Sequence, residues 1–189
     1  MNYTDVEIVK SFQAGNKEDF VKLYDKYLKQ IYSFIYYKTS HKETAEDLTS
    51  QTFFKALRYL DAFNFIKNSS FSAWLFTIAR NSVTDHYRSS RLFKNIDDIW
   101  DLASSEDIVQ NFAIKEESAQ LLKYLKELDY KQREIVILRV FQDLSYREIA
   151  EITGRSESAC KMDFSRALKK LKEKIPLEAL ILIMLMAKF

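Results

Sequence analysis

Only two glycines, Gly15 and Gly154, and one proline, Pro176, punctuate a chain of 189 residues. Average usage at this length would give roughly 13 glycines and 9 prolines. Sheet-rich folds place turn residues every ~8–12 positions, and this chain has little to build such turns from. Glycine-rich phosphate loops and dinucleotide fingerprints need glycines at fixed spacings that do not occur here. The expected fold class is therefore all-α. The length allows one compact domain or two small ones.

The single cysteine, Cys160, forbids an internal disulfide. His41 and His86 lack metal-ligand spacing, so neither a metal nor a cofactor is expected. The N-terminal stretch MNYTDVEIVKSF has no signal-peptide core. Together these features read as a reduced, cytoplasmic protein. No nucleophile motif or His–Asp pair stands out, and Asp85 and His86, adjacent on a helix, point different ways. The chain reads as a non-enzyme without a small-molecule substrate.

Helical periodicity dominates the chain. Thr4 can cap a helix ending near Gly15. Asn16, with Asp19, can start a longer one whose apolar stripe is Phe20, Leu23, Tyr24, Tyr27, Ile31, Phe34 and Ile35. A third helix is predicted from about Lys42 to Leu60, with Ala45, Leu48, Phe53, Ala56, Leu57 and Leu60 inward. Residues 61–70 read as a loop. Ser70 can cap a fourth helix through about Arg91, burying Trp74, Leu75, Ile78, Ala79 and Val83. Residues 97–117 hold seven acids against one base, which reads as an acidic linker between two helical halves. After it come a helix from about Ile108 or Ser118 to Leu128, one from Lys131 to Phe141, and shorter elements at Ser145–Ile152 and Ser156–Ile175.

The segment from Leu144 to Leu171 carries the most information. Ser145 and Glu148 form a capping-box pattern. Gly154 sits in a Thr153-Gly154-Arg155 turn, where glycine permits the positive backbone angle that redirects a chain. Ser156 can cap the following helix, whose apolar face is Cys160, Phe164, Ala167, Leu168, Leu171 and Ile175. Seven bases stand against three acids between Arg155 and Lys174. A short helix, a tight turn and a basic second helix place that second helix in a DNA major groove. Arg155, Lys161 and Arg166 would take phosphates, and Ser156, Glu157, Ser158 and Lys161 would approach base edges. A solvated basic face on an ordinary helical hairpin is the other reading. Cys160 reads as a small buried apolar residue rather than a redox sensor.

Residues 59–91 mix aromatics with bases. Phe63 and Phe65 fall in a polar loop, where packing explains them less easily than it explains Trp74. Unstacked bases of a melted strand stack on aromatics while basic side chains track the backbone. Arg80, Asn81, Arg88 and Arg91 would supply donors. An ordinary aromatic core is the competing reading.

Three strings, in order, resemble the extracytoplasmic-function (ECF) group of sigma-70-type transcription initiation factors. Ala45-Glu-Asp-Leu-Thr-Ser-Gln-Thr-Phe-Phe-Lys-Ala-Leu57 is similar to the family's region-two helix. Phe71-Ser-Ala-Trp-Leu-Phe-Thr-Ile-Ala-Arg-Asn-Ser-Val-Thr-Asp-His-Tyr-Arg88 is similar to the segment that melts and reads the −10 promoter element. Leu128-Asp-Tyr-Lys-Gln-Arg-Glu-Ile-Val-Ile-Leu-Arg139 and the helix-turn-helix resemble the region-four module that reads the −35 element.

The resemblance implies two small helical modules. Residues 1–91 would be region two, 92–117 the acidic linker, 118–175 region four, and 176–189 an apolar tail. Glu46, Asp47 and Gln51 would face the β′ clamp helices of core RNA polymerase, with the β flap as a second contact. Phe63, Phe65, Lys67 and Asn68 would hold a flipped −10 base, and Arg80, Asn81 and Arg88 would contact adjacent promoter DNA. Arg155, Ser156, Glu157, Ser158, Lys161 and Arg166 would serve the −35 element. The linker would mimic nucleic acid on the path of nascent RNA, and an anti-sigma factor commonly covers both modules. Two departures stand out: Ser50 occupies a position usually held by glutamine, and Asp163 replaces a frequent base.

The tail from Leu177 to Met186 reads as a packed helix, a protein-contact surface or a membrane-surface anchor, and would shield the modules in the free protein. A one-component helix-turn-helix regulator with an N-terminal sensing bundle is the alternative function. It leaves the Trp-Leu-x-x-Ile-Ala-Arg-Asn string unexplained and would need a dimer face.

Overall fold

The computed structural model describes residues 3–39, 41–66, 70–89, 124–125, 127–176, 178 and 180. Among them there are seven α-helices and no strand. The linker at 92–117 lies outside the described residues, as do Lys67, Asn68 and all of the tail after Pro176 except residues 178 and 180.

Local chemistry accounts for the helix boundaries. Helix α1 (Asp5–Gln13) starts at a reciprocal capping box. The Thr4 side chain accepts from the Glu7 amide, and the Glu7 carboxylate accepts from the Thr4 amide at 2.8 Å. Gly15, at φ +111°, turns the chain into a 3-10 turn (Lys17–Asp19) that leads to α2 (Phe20–Thr39). Helix α3 (Lys42–Tyr59) is capped by the His41 ring, whose Nδ1 accepts from the Thr44 amide at 3.3 Å. Helix α4 (Phe71–Ser89) begins after Ser70, whose hydroxyl accepts from the Ala73 amide at 3.0 Å.

The C-terminal half repeats this logic. Asp129 caps α5 (Tyr130–Val136), which runs on into one π turn, Ile137–Phe141. Ser145 and Glu148 form the capping box of α6 (Tyr146–Thr153). Gly154 ends α6 in the left-handed region at φ +69°. Ser156 then caps α7 (Glu157–Lys172), accepting from the Ala159 amide at 3.2 Å.

Phe12, Leu23, Ile31, Phe34, Phe71, Leu75 and Phe76 fill the N-terminal core; Phe34 meets Phe76 edge-on at 5.3 Å. Ile135, Leu138, Ile149, Cys160, Phe164, Ala167 and Leu171 fill the C-terminal one. These two cores are continuous. Helix α4 packs on α6, and Tyr37 of α2 meets Phe141 at 5.3 Å. The two halves therefore touch directly.

The predicted inward faces need three corrections. Leu57 is 40% exposed and Tyr24 also faces solvent, so α3 and α2 turn those positions outward. Trp74 and Ile78 are half-buried rather than fully buried. Phe63, expected to resist explanation by packing, is only 6% exposed and sits on Trp74 with ring centroids 4.9 Å apart.

Gly154 forms the turn between α6 and α7, and a Cβ there would meet open space. Its Cβ penalty is thus purely conformational. Gly154→Ala is expected to destabilise the C-terminal half by about 1 kcal/mol, the cost of a left-handed L-residue. Chemical denaturation checks this, and an unchanged midpoint would show that the turn tolerates a side chain.

Candidate nucleic-acid and polymerase interfaces

Three surfaces carry the residues singled out from the sequence. The first is the outer face of α3. Glu46, Asp47 and Gln51 are all exposed there. Asp47, Gln51, Phe54 and Arg58 recur at helical spacing and share one side of the helix. Phe54 is 68% exposed, an apolar residue left in water amid charges. The sequence analysis placed its neighbour Phe53 inward but did not single out Phe54. Phe53 is buried against Tyr24, with ring centroids 4.7 Å apart, and Phe54 turns outward. Ser50, at the position usually held by glutamine, bonds back to the Glu46 carbonyl at 3.0 Å.

The second surface surrounds the loop before α4. Phe65 stacks edge-on against Phe63 at 4.7 Å and is half-buried. Phe63 therefore backs Phe65 rather than facing solvent itself. The Asn64 side chain accepts from the Ile66 amide at 2.7 Å, and Ile66 stands 93% exposed at the loop tip. Ile66 was not anticipated either: an isolated isoleucine in a polar loop carries no periodic signal. Beside this loop opens a cavity of about 610 Å³ lined by Phe65, Ser70 and Phe71 and, across from them, Tyr3, Asp5 and Lys26.

On α4 the basic residues part company. Asn81 and Arg88 are exposed on one face, with Asp85 between them. Arg80 instead faces the C-terminal half. Its Nε and Nη2 donate to the two Glu134 carboxylate oxygens at 3.1 and 3.3 Å. The expected DNA donor is thus already occupied, which the sequence could not reveal because the partner lies 54 residues away.

Glu134 also accepts from the Lys38 ammonium, and both side chains are buried. Burial alone would raise the Glu134 carboxyl, but Lys38 and Arg80 outweigh it and hold the group below its ordinary value. Burial likewise pulls Lys38 downward, against the raising effect of Glu134. The carboxylate has two cationic partners, so the paired, ionised arrangement is the consistent one. A second crossing is made by Glu148. One of its oxygens takes the Ser145 amide at 2.9 Å for the capping box, and the other takes the Ser70 and Ser72 hydroxyls at 2.6 and 2.5 Å.

The third surface is α7. Ser156 is exposed but spends its hydroxyl on the cap, with Ser158 3.1 Å away. Glu157, Ser158, Lys161 and Arg166 are exposed. Lys161 lies over the Tyr146 ring, 5.7 Å from its centre. Asp163 is paired with Arg155 and lies 3.6 Å from Arg166. It therefore sits along the helix edge between two guanidiniums rather than alone before a phosphate. Arg155 shares its charge with Asp163 and presents a weaker field than a free arginine.

Comparison with known proteins matches the same segments. The family description Sigma-70 region 2 fits residues 23–93, and Sigma-70, region 4 fits residues 118–171. The ECF RNA polymerase sigma factor BldN of Streptomyces coelicolor is 39% identical over 177 residues, covering 92% of this chain and 67% of that protein. The RNA polymerase sigma factor YlaC of Bacillus subtilis is 32% identical, covering 84% of this chain and 92% of its own. Among solved structures, the sigma factor RpoE in complex with the anti-sigma factor NepR from Bartonella quintana superposes with a TM-score of 0.61 at 28% identity, covering 82% of this chain and 96% of that one. CnrH, in complex with the cytosolic domain of CnrY, shares the fold with a TM-score of 0.67 at 24% identity, covering 89% and 95% of the two chains.

The exposed Phe54 yields a mutational expectation. Phe54→Ala should leave helicity and melting temperature nearly unchanged, because surface substitutions usually stay within about 0.5 kcal/mol. It should weaken binding to core RNA polymerase several-fold. Circular dichroism reads the first arm and fluorescence anisotropy with labelled protein the second; equal affinity for core would remove Phe54 from the interface.

Proposed function

Because the chain belongs to the ECF group of sigma-70-type factors, which direct transcription initiation, we propose a residue-level division of its labour. The α3 face of Glu46, Asp47, Gln51 and Phe54 docks on the β′ clamp helices of core polymerase. The C-terminal module engages the β flap and reads the −35 element. The N-terminal module takes the −10 element. Residues 1–91 and 118–175 work as the two modules, and the acidic stretch at 92–117 joins them.

At the −10 element the bases must leave the stack before they can be held. Phe65, backed by Phe63, offers a ring for a base that has flipped out. Lys67 and Asn68 line the same loop on this reading. Asn81 and Arg88, exposed together on α4, take the neighbouring strand. Arg80 joins them once its guanidinium is free. At the −35 element α7 enters the major groove. Lys161 and Arg166 contact phosphates; Ser156, Glu157 and Ser158 lie toward base edges; Arg155 acts from the turn. Ser156 also fixes the start of the helix, so its base contact would share the hydroxyl with the cap.

Catalysis belongs to the polymerase, and the chain contributes none of its own. The cytoplasm is the compartment where polymerase and promoter meet. Among the described residues no helix is long and apolar enough to cross a membrane. An anti-sigma factor is the expected protein antagonist; the RpoE relative is seen with one.

The observation that carries this reading is the coexistence, in one chain, of an exposed basic helix in a helix-turn-helix and an exposed Asn81–Arg88 face on the helix that follows an aromatic loop. A ligand-sensing regulator needs the first but has no use for the second. Holoenzyme binding to promoter DNA tests the assignments. Lys161→Ala should fold normally, weaken promoter binding and reduce the salt slope by about 0.9, the signature of one lost phosphate contact. Unaltered affinity and slope would place Lys161 away from DNA.

A further inference from the structure

One contact between the two halves occupies Arg80, the side chain that the proposed function gives to promoter DNA. Arg80 is bonded by both Glu134 oxygens, and Lys38 shares that carboxylate. Glu148 bonds Ser70 and Ser72, which sit at the start of the −10-reading helix α4. Gln142 donates to Ser33 at 3.3 Å, and Tyr37 covers Phe141. Helix α6, the first helix of the helix-turn-helix, lies directly on α4. Two promoter elements some 25 base pairs apart are separated by roughly 85 Å of duplex at 3.4 Å per pair. Helices in contact cannot occupy both.

From this geometry we propose that Glu134 is an internal clasp, which holds the free chain closed by standing in for a DNA phosphate on Arg80. The inference rests on the promoter-binding reading for the role of Arg80 on DNA; the contact itself belongs to the free chain.

The chemistry suits such a device. The carboxylate presents two oxygens to a guanidinium fork, the geometry that a phosphate also presents. Glu134 is only 3% exposed. A buried ion pair gains little net stability, because desolvation offsets the attraction. Removing one partner is nonetheless costly, since a bare charge remains buried. The closed state is therefore specific yet easily opened when the ions can be rehydrated or re-paired. Opening frees Arg80 for the −10 strand and α7 for the −35 element in the same step. DNA binding by the isolated chain is then weak because the competent state is scarce. Core polymerase, by binding the open arrangement, shifts the population.

The test uses the full chain. Glu134→Gln keeps the shape of the side chain but removes the charge that Lys38 and Arg80 share. Lys38→Gln removes a cation from the other side, and Ser72→Ala removes one hydroxyl of the second crossing. Circular dichroism confirms that each variant is helical, and the milder Lys38→Gln and Ser72→Ala variants serve if Glu134→Gln does not fold. Small-angle scattering should find the wild type the most compact. The radius of gyration should rise in Glu134→Gln and Lys38→Gln, with a smaller rise in Ser72→Ala. Affinity for core should tighten about tenfold in Glu134→Gln, because the competent fraction rises. Unchanged radius in the folded variants would overturn the clasp. Failure of every form to bind core would instead overturn the sigma-factor reading, while scattering still decides the clasp.

Discussion

A buried carboxylate on one half of this molecule takes both of its cationic partners from the other half. Glu134 sits on α5, yet its two cationic partners, Lys38 and Arg80, come from α2 and α4. Neither half satisfies that charge alone in the closed arrangement. An isolated buried ion is among the most costly groups a protein can carry, so the position of α5 against α2 and α4 is strongly constrained. Phe141 and Gln142, just beyond α5, then fall against Tyr37 and Ser33, and α6 comes to lie on α4. Glu148 adds a directional second anchor. Burial would raise its carboxyl, but hydrogen bonds from Ser70, Ser72 and Ser145 hold it below the ordinary value. A depressed carboxyl stabilises the state in which it is ionised. That contribution is present above the group's ordinary value and fades as pH falls through the lowered one.

Around this centre the electrostatics are local rather than global. The overall charge is only +2, too little to attract DNA indiscriminately. The exposed bases stand in small groups: Lys161 and Arg166 on α7, and Arg88 on α4, where the neutral Asn81 shares its face. Asp163 shows the same economy within one helix. It replaces a base expected from the family pattern, and pairs with Arg155 while lying near Arg166. The result is a recognition helix with a reduced field and a fixed guanidinium position, which favours geometry over raw attraction.

Much of the fold was legible because it is written in local chemistry. Thr4, Ser70, Ser145 and Ser156 were each read as caps and each accepts the expected amide. Gly154 was read as the turn of a helix-turn-helix and adopts the required left-handed angle. The glycine scarcity does not remove such angles: Asp143 takes φ +54° without one, as a short polar side chain can. What stayed hidden was relational. Phe63 looked available because its loop is polar, but Trp74 and Phe71 supply a core from another element. Leu57 looked inward by periodicity, yet no neighbouring helix covers it enough. Arg80 looked free because its partner is far away in sequence. Periodicity reports which face of a helix is apolar; it does not report which face a second module will cover.

The central claim is that this chain gives core polymerase a promoter. The most direct measurement is in vitro transcription with purified core polymerase, the full chain and a library of candidate promoter fragments, reading the start sites of the transcripts. Discrete start sites that depend on the added chain and share sequence upstream at two separated positions are expected. Transcripts no more numerous and no more localised than those from core alone would contradict the claim.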